Sequence, residues 1–229
     1  MSEWWTYRPS DFLMFSARTY YRLFELYNAE VWPAQLLTAV LGLAMWLALW
    51  QGRAWAPRVA LALLGVAWLW IAWGFHWQRF ASINSAATGF AGAFAVQGAL
   101  LLALAAIDSV ARRPVSRGRS RVIGLALLLF AIVAQPALGV LLGRSWRQAE
   151  LFGLAPDPTV LGSLGLLLLW RPDRGARPRT AWLLWPIPVL WCVVGGITLA
   201  TMNSAESVLM PVAALLAVAA ARPRAAKRH

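Results

Sequence analysis

The chain of 229 residues holds one cysteine, Cys192. No internal disulfide can form, and no cysteine cluster can bind a metal. It holds two histidines, His76 and His229, too few to build a multi-histidine metal site within one chain. A haem held by paired histidines would need His76 from two subunits. Its one lysine, Lys227, stands in the terminal tail. That excludes a Schiff-base lysine inside a bundle, and with it a retinal protein. Charged residues make up only 13%, about half the share of a soluble domain. No nucleophile triad, metal cluster or nucleotide-binding glycine motif is visible. No cofactor is implied, and an enzyme is the least favoured class.

What the chain has is apolar. Sixty per cent is hydrophobic and 15 residues are Trp, with a mean hydropathy of +0.60. One water-soluble core of this size cannot bury so much apolar surface. The composition points to an all-α polytopic membrane protein with the lipid bilayer as its first partner. No cleavable leader is expected, because the first long apolar run begins only near Trp32.

A hydrocarbon core about 30 Å thick needs roughly 20 helical residues. Five runs suffice: Ala34 to Trp50, Arg58 to Trp77, Ala86 to Ile107, Val122 to Gly143, and Ala181 to Thr201. Two more, Pro158 to Trp170 and Ser207 to Ala221, are apolar but short. Charge decides whether to count them, since basic loops stay cytoplasmic. Seven spans put Arg53 and Arg58, the Arg112 to Arg121 group, the Arg171 to Arg179 group and the tail on one side. That side carries 15 basic residues against two acids, and the other side six against seven. The net +12 therefore speaks of orientation and not of nucleic acid. The expected fold is a seven-transmembrane-helix bundle, N-terminus outside and C-terminus cytoplasmic, in a bacterial plasma (inner) membrane. Residues 1–33 form an outer interfacial segment, 34–221 the membrane domain and 222–229 a basic cytoplasmic tail.

Within the outer segment, Ser16 can cap a helix beginning at Ala17. Tyr20, Phe24, Tyr27 and Val31 recur at helical spacing, with Leu23 beside them. This amphipathic helix lies along the interface or folds over the bundle as a lid.

The run from Pro158 to Trp170 reaches only ~20 Å. Irregular backbone at membrane depth is tolerated only under protein or beside water, so a polar depression open to the outer face is expected there. Arg147 and Glu150 can pair on a short helix that Gly153 ends. Asp157-Pro158 reads as a cap and first residue of the next helix. Its alternative role is to hold a polar ligand at a helix N-terminus. His76 is either an interfacial imidazole bonded to a loop carbonyl or a titrating group near the outer mouth. Arg79 shares its face. Gln135 can satisfy a carbonyl freed by Pro136, Gln97 suits an interhelical hydrogen bond, and Glu206 stands at capping-box spacing from Asn203. One topology assigns His76, Arg79, Asn84, Arg144, Gln148, Glu150, Asp157 and Glu206 to the outer third. With Gln135 they are the candidate binding or gating groups, because ionisable groups at membrane depth tend to face cavities. Among the deeper tryptophans, Trp68, Trp70, Trp73 and Trp191 suit core packing or an apolar ligand.

Three segments carry a resemblance: Phe75-His76-Trp77 through Ile83-Asn84-Ser85-Ala86-Ala87; Phe152-Gly153 through Pro156-Asp157-Pro158-Thr159 with Gly162 to Leu167; and Pro186 to Gly196. They resemble a bacterial integral-membrane family of unknown function, some members of which are loosely labelled permease. In that family the middle motif often has Cys between two prolines. Here Asp157 stands there, which argues against a thiol-based role. The resemblance implies a membrane fold and no residue roles. Two functions follow as expectations. The first is a small transporter or permease for a polar solute or ion. The second is a non-catalytic subunit or scaffold that binds other protein subunits.

Overall fold

The computed structural model describes residues 15–107, 118–169 and 182–221. The Arg112–Arg117 and Arg171–Arg179 groups, Trp170, Ala181 and the tail from Arg222 lie outside them. The described residues are helical, without strands. Nine α-helices follow in order among them. They are α1 (Ala17–Glu30), α2 (Ala34–Trp50), α3 (Ala56–Trp70), α4 (Ala87–Ala106), α5 (Arg119–Leu129), α6 (Gln135–Leu141), α7 (Pro156–Leu169), α8 (Pro186–Thr201) and α9 (Leu209–Ala221).

Three continuous helical stretches are long and apolar enough to cross a bilayer: Ala56–Ser82, Ala87–Ala106 and Arg119–Leu141. A fourth arises if α1 and α2, bent by 91°, count as one broken span. The apolar helices Pro156–Leu169, Pro186–Thr201 and Ala205–Ala221 are shorter.

Helix α1 forms where the sequence predicts it. Ser16 Oγ accepts from the Thr19 amide at 3.2 Å, and Tyr20, Leu23, Phe24 and Tyr27 turn inward. Asn28 Nδ2 donates to the carbonyls of Arg147 and Ala149, each at 2.9 Å. Tyr27 Oη donates to Leu154 O at 3.1 Å. The helix is thus bonded to the α6–α7 connection and covers it.

Helix α7 is the centre. All 14 of its residues are buried, against α3, α5, α8 and α9. A helix enclosed on every side needs no amphipathic stripe. Its polar residues are bonded locally or to neighbours. Thr159 Oγ1 donates to Ala155 O and Ser163 Oγ to Thr159 O, both at 2.8 Å, and Trp68 Nε1 donates to Ser163 Oγ at 2.8 Å. Paired glycines bring α5 and α7 together. A Cβ on Gly124 would lie 2.7 Å from Gly165 O, and one on Gly165 2.7 Å from Gly124 O. Small residues at helix crossings allow this backbone approach.

Several local readings change. Helix α7 starts at Pro156, two residues before the expected start. Helix α8 starts at Pro186, so Pro186 and Pro188 lie in its first turn, where proline costs no hydrogen bond. The Arg147–Glu150 helix is replaced by a 3₁₀ turn, Trp146–Gln148. Gly153, at φ +81°, belongs to the turn entering α7, and its amide donates to Thr159 Oγ1 at 2.9 Å. Two stretches adopt π geometry, Ile71–Trp77 and Phe130–Ala134. Such insertions recur at functional sites. Here one contains His76 and the other ends immediately before Gln135.

Candidate functional site

The charges between α6, α7 and α8 gather around Arg144. The chain leaves α6, turns at Gly143 (φ +89°), and the Arg144 amide returns to Gly139 O at 2.8 Å. The guanidinium lies over the Tyr21 ring, 4.2 Å from its centroid. Its Nη2 donates to both carboxylate oxygens of Glu206, at 2.6 and 2.5 Å. Its Nη1 stands 3.9 Å from Glu150 Oε1. Space for this fork comes from Gly139, where a Cβ would sit 2.5 Å from Arg144 Nη2.

Each carboxylate is positioned differently. Glu206 stands on the 3₁₀ turn Ala205–Val208, which Ser204 caps by accepting from the Glu206 amide at 3.4 Å. The expected Asn203 capping box is absent: Asn203 takes a left-handed φ of +55°, and the Glu206 carboxylate points at Arg144 instead. Asp157 does not cap α7. It lies inside the first turn, 4% exposed, and accepts from Trp191 Nε1 at 2.8 Å. Glu150 is 8% exposed. Burial first, and then the Asp157 charge, push its carboxyl well above the ordinary carboxylate range.

These groups line one cavity of about 10 Å³, with Gln135, Arg144, Glu150, Asp157 and Glu206 on its polar walls and Leu199 and Met210 among its apolar ones. That is room for a single water. Gln135 Oε1 is buried there without a hydrogen-bond partner, so an acceptor faces the cavity.

A family model described as a family of unknown function, DUF6064, matches residues 17–229. The chain belongs to that family. No curated protein and no solved structure matches it. The DUF6064 match begins at the first residue of α1, so the helix covering the site is part of the family's unit.

The remaining candidates sit elsewhere. His76 is fully buried and bonded to no loop carbonyl, since neither ring nitrogen has a hydrogen-bond partner. Aromatic rings surround it, with Phe94 at 4.5 Å and Trp191 at 5.0 Å between centroids. Arg79 faces α1. It donates to Glu30 and to Gly74 O, with its guanidinium 4.8 Å over the Tyr27 ring. Gln148 Nε2 reaches Glu25 Oε2 at 3.5 Å. Arg79, Gln148, Glu25 and Glu30 help line a wide surface groove of about 730 Å³. Asn84 caps its own turn, accepting from the Ala86 amide at 3.0 Å. Gln97 makes an interhelical bond, donating to Leu184 O at 3.1 Å.

The candidate set therefore divides. Gln135, Arg144, Glu150, Asp157 and Glu206 share one cavity. His76 does not line it; the Trp191 indole touches both His76 and the cavity's Asp157. Arg79, Gln148 and Asn84 do not reach it. Sequence reasoning missed the roles of Tyr21, Gly139 and Trp191. The sequence offers Trp191 for core packing or an apolar ligand; that it sits one π-contact from His76 and one hydrogen bond from Asp157 has no local sequence signal.

Proposed function

We propose that this DUF6064 protein is a seven-span membrane protein of the bacterial inner membrane that passes a small polar solute or ion through an occluded site near its outer end. The seven spans are α2, α3 with its π extension, α4, α5 with α6, α7, α8 and α9. Ties at one end of the bundle support this count and orientation. Arg121 Nη2 donates to Trp50 O at 2.6 Å, and Ser120 Oγ donates to Ala220 O at 3.0 Å. The C-terminal ends of α2 and α9 therefore meet the N-terminal end of α5. Arg53 follows α2 and Arg119 and Arg121 open α5 at that end, so on the rule that basic loops stay inside we read it as cytoplasmic and the end that carries α1 as outer.

The observation that carries the transport reading is the gathering of Arg144, Glu150, Asp157 and Glu206 around one cavity. Two of the four, Glu150 and Asp157, are buried and the other two are part-buried; withdrawing ionisable groups from water in an otherwise apolar bundle is costly, and such groups mark solute and ion paths. In this reading the Arg144–Glu206 pair is the latch that narrows the site, and the α6–α7 connection under α1 is its cover. Opening requires the latch to part and admits a solute larger than the single water that fits now.

The test is swelling of vesicles containing the full chain, in iso-osmotic urea, glycerol or glycine. Wild type speeds entry of at least one solute over protein-free vesicles, and Asp157→Asn, inserted to the same level, does not. Entry no faster than in protein-free vesicles for every solute, with no faster proton entry under an imposed pH gradient, would remove the reading.

One observation favours the second reading, a scaffold subunit. Helix α2 buries only Gly42, Met45, Ala48 and Leu49 and leaves Leu36, Leu37, Val40 and Leu47 outward. In mild detergent this face would carry a second protein subunit at fixed stoichiometry. Isolation as a lone chain in several detergents would leave the face to lipid.

A further inference from the structure

We infer that Glu150 and Asp157 share one proton through a water in the cavity between them, which makes a proton the ion that this site exchanges. The inference rests on the occluded-site reading and names its ion.

Charge comes first. Three carboxylates, Glu150, Asp157 and Glu206, line a cavity with one guanidinium, Arg144. Glu206 takes both short contacts from Nη2. Glu150 keeps only the 3.9 Å approach of Nη1, and Asp157 has the neutral indole donor of Trp191. Two buried anions thus compete for what one cation has left. A buried charge without a counterion is neutralised by a proton or a bound cation.

The unpartnered atoms decide which. Gln135 Oε1 is an acceptor and Arg144 Nη1 a donor, and both are buried with no hydrogen-bond partner. Gln135 is only 7% exposed. A water satisfies both, because it accepts from Nη1 and donates to Oε1. A metal cation cannot accept from a guanidinium and is repelled by it. The cavity of about 10 Å³ admits one water and no hydrated ion. Neutralisation therefore falls to a proton on a carboxyl. The other groups facing the pair leave that assignment intact. Tyr20 and Tyr21 approach from α1, and burial pushes both phenols above their ordinary range, so they stay neutral. Cys192 approaches from α8. In a transfer, the O–H bond on one carboxyl breaks as a water O–H forms, and a second water proton passes to the other carboxylate. Charge and atoms balance without a further reactant.

Infrared spectroscopy of the full chain in lipid bilayers reads this directly. A C=O band of a protonated carboxyl is expected near neutral pH. It is lost in the Glu150→Gln/Asp157→Asn double variant, and it shifts in Gln135→Leu, where the water that bonds the carboxyl loses one of its acceptors. Absence of the band in wild type near neutral pH would overturn the inference, whatever the variants do. So would a band that persists in the double variant, or one that disappears when sodium chloride replaces choline chloride, since that marks a metal-cation site. Vesicles that pass neither solute nor protons while the band behaves as expected would defeat the permeation reading alone. Solute entry without the band would defeat the proton alone.

Discussion

The indole of Trp191 donates from Nε1 to Asp157 Oδ1 at 2.8 Å. The same ring meets His76 edge-on, with centroids 5.0 Å apart. One tryptophan on α8 thus holds the α7 carboxylate and packs against the π-turn histidine. A hydrogen bond to a charged or titrating group contributes about 1.5–3 kcal/mol. Trp191→Phe keeps the ring contact and removes the donor. It should destabilise the protein by roughly that amount in detergent unfolding, and by much less when Asp157 is already Asn. Equal costs on both backgrounds would show that the bond contributes nothing of its own.

Arg144 and Glu206 should be worth more broken than absent. Their side chains are 16% and 11% exposed, so each is largely withdrawn from water. Removing one partner of a buried pair costs about 3–5 kcal/mol, because the other charge is stranded. Arg144→Gln or Glu206→Gln should each lower the unfolding midpoint strongly. The double variant should recover most of the loss. A double variant as unstable as the sum of the two would mean the groups do not act as a pair. Gly139→Ala, which puts a methyl against the guanidinium, should resemble Arg144→Gln.

Glycine substitutions should have opposite signs along the bundle. Gly89 on α4 has open space where a Cβ would go, so Gly89→Ala should stabilise by about 0.5–1 kcal/mol through helix propensity. Gly165→Ala meets the α5 backbone and should destabilise. Thermal midpoints of the two variants in one detergent check the contrast.

Stability should depend on pH through Glu150. Its folded carboxyl titrates above the ordinary 4.5, by burial first and the Asp157 charge second. The folded state therefore holds this proton longer than the unfolded state. Unfolding free energy must fall as pH rises from about 4.5 toward the raised value, since ionisation then favours the unfolded chain. Glu150→Gln removes the titration, so its midpoint should vary less with pH above 4.5 than that of wild type. Parallel pH profiles would contradict the assignment.

Local features of the fold were legible where chemistry is local. The Ser16 cap and the Tyr20, Leu23, Phe24 and Tyr27 face follow from helical spacing, and both appear in α1. The Gln97 bond follows from placing one amide in an apolar helix. The site was legible in composition and not in pairing. Sequence spacing offered Arg147 for Glu150 and Asn203 for Glu206. The structure turns both acids toward Arg144, and Glu206 lies 62 residues from it. Short-range pairs near solvent gain little, whereas a desolvated carboxylate must find a donor wherever the packing brings one. Asp157 likewise takes a donor 34 residues away. The early start of α7 was hidden because Pro156 and Pro158 are both acceptable in a first helical turn.

The central claim is an occluded polar site latched by Arg144 and Glu206, and cysteine accessibility tests it most directly. Leu199 lines the cavity and is 4% exposed. In a Cys192→Ala background, Leu199→Cys is labelled by a small hydrophilic thiol reagent added from the outer side. Labelling should be slow with Glu206 present and at least tenfold faster with Glu206→Gln, a factor that corresponds to about 1.4 kcal/mol of latch. Equal rates in the two proteins would contradict the latch and the occluded site with it.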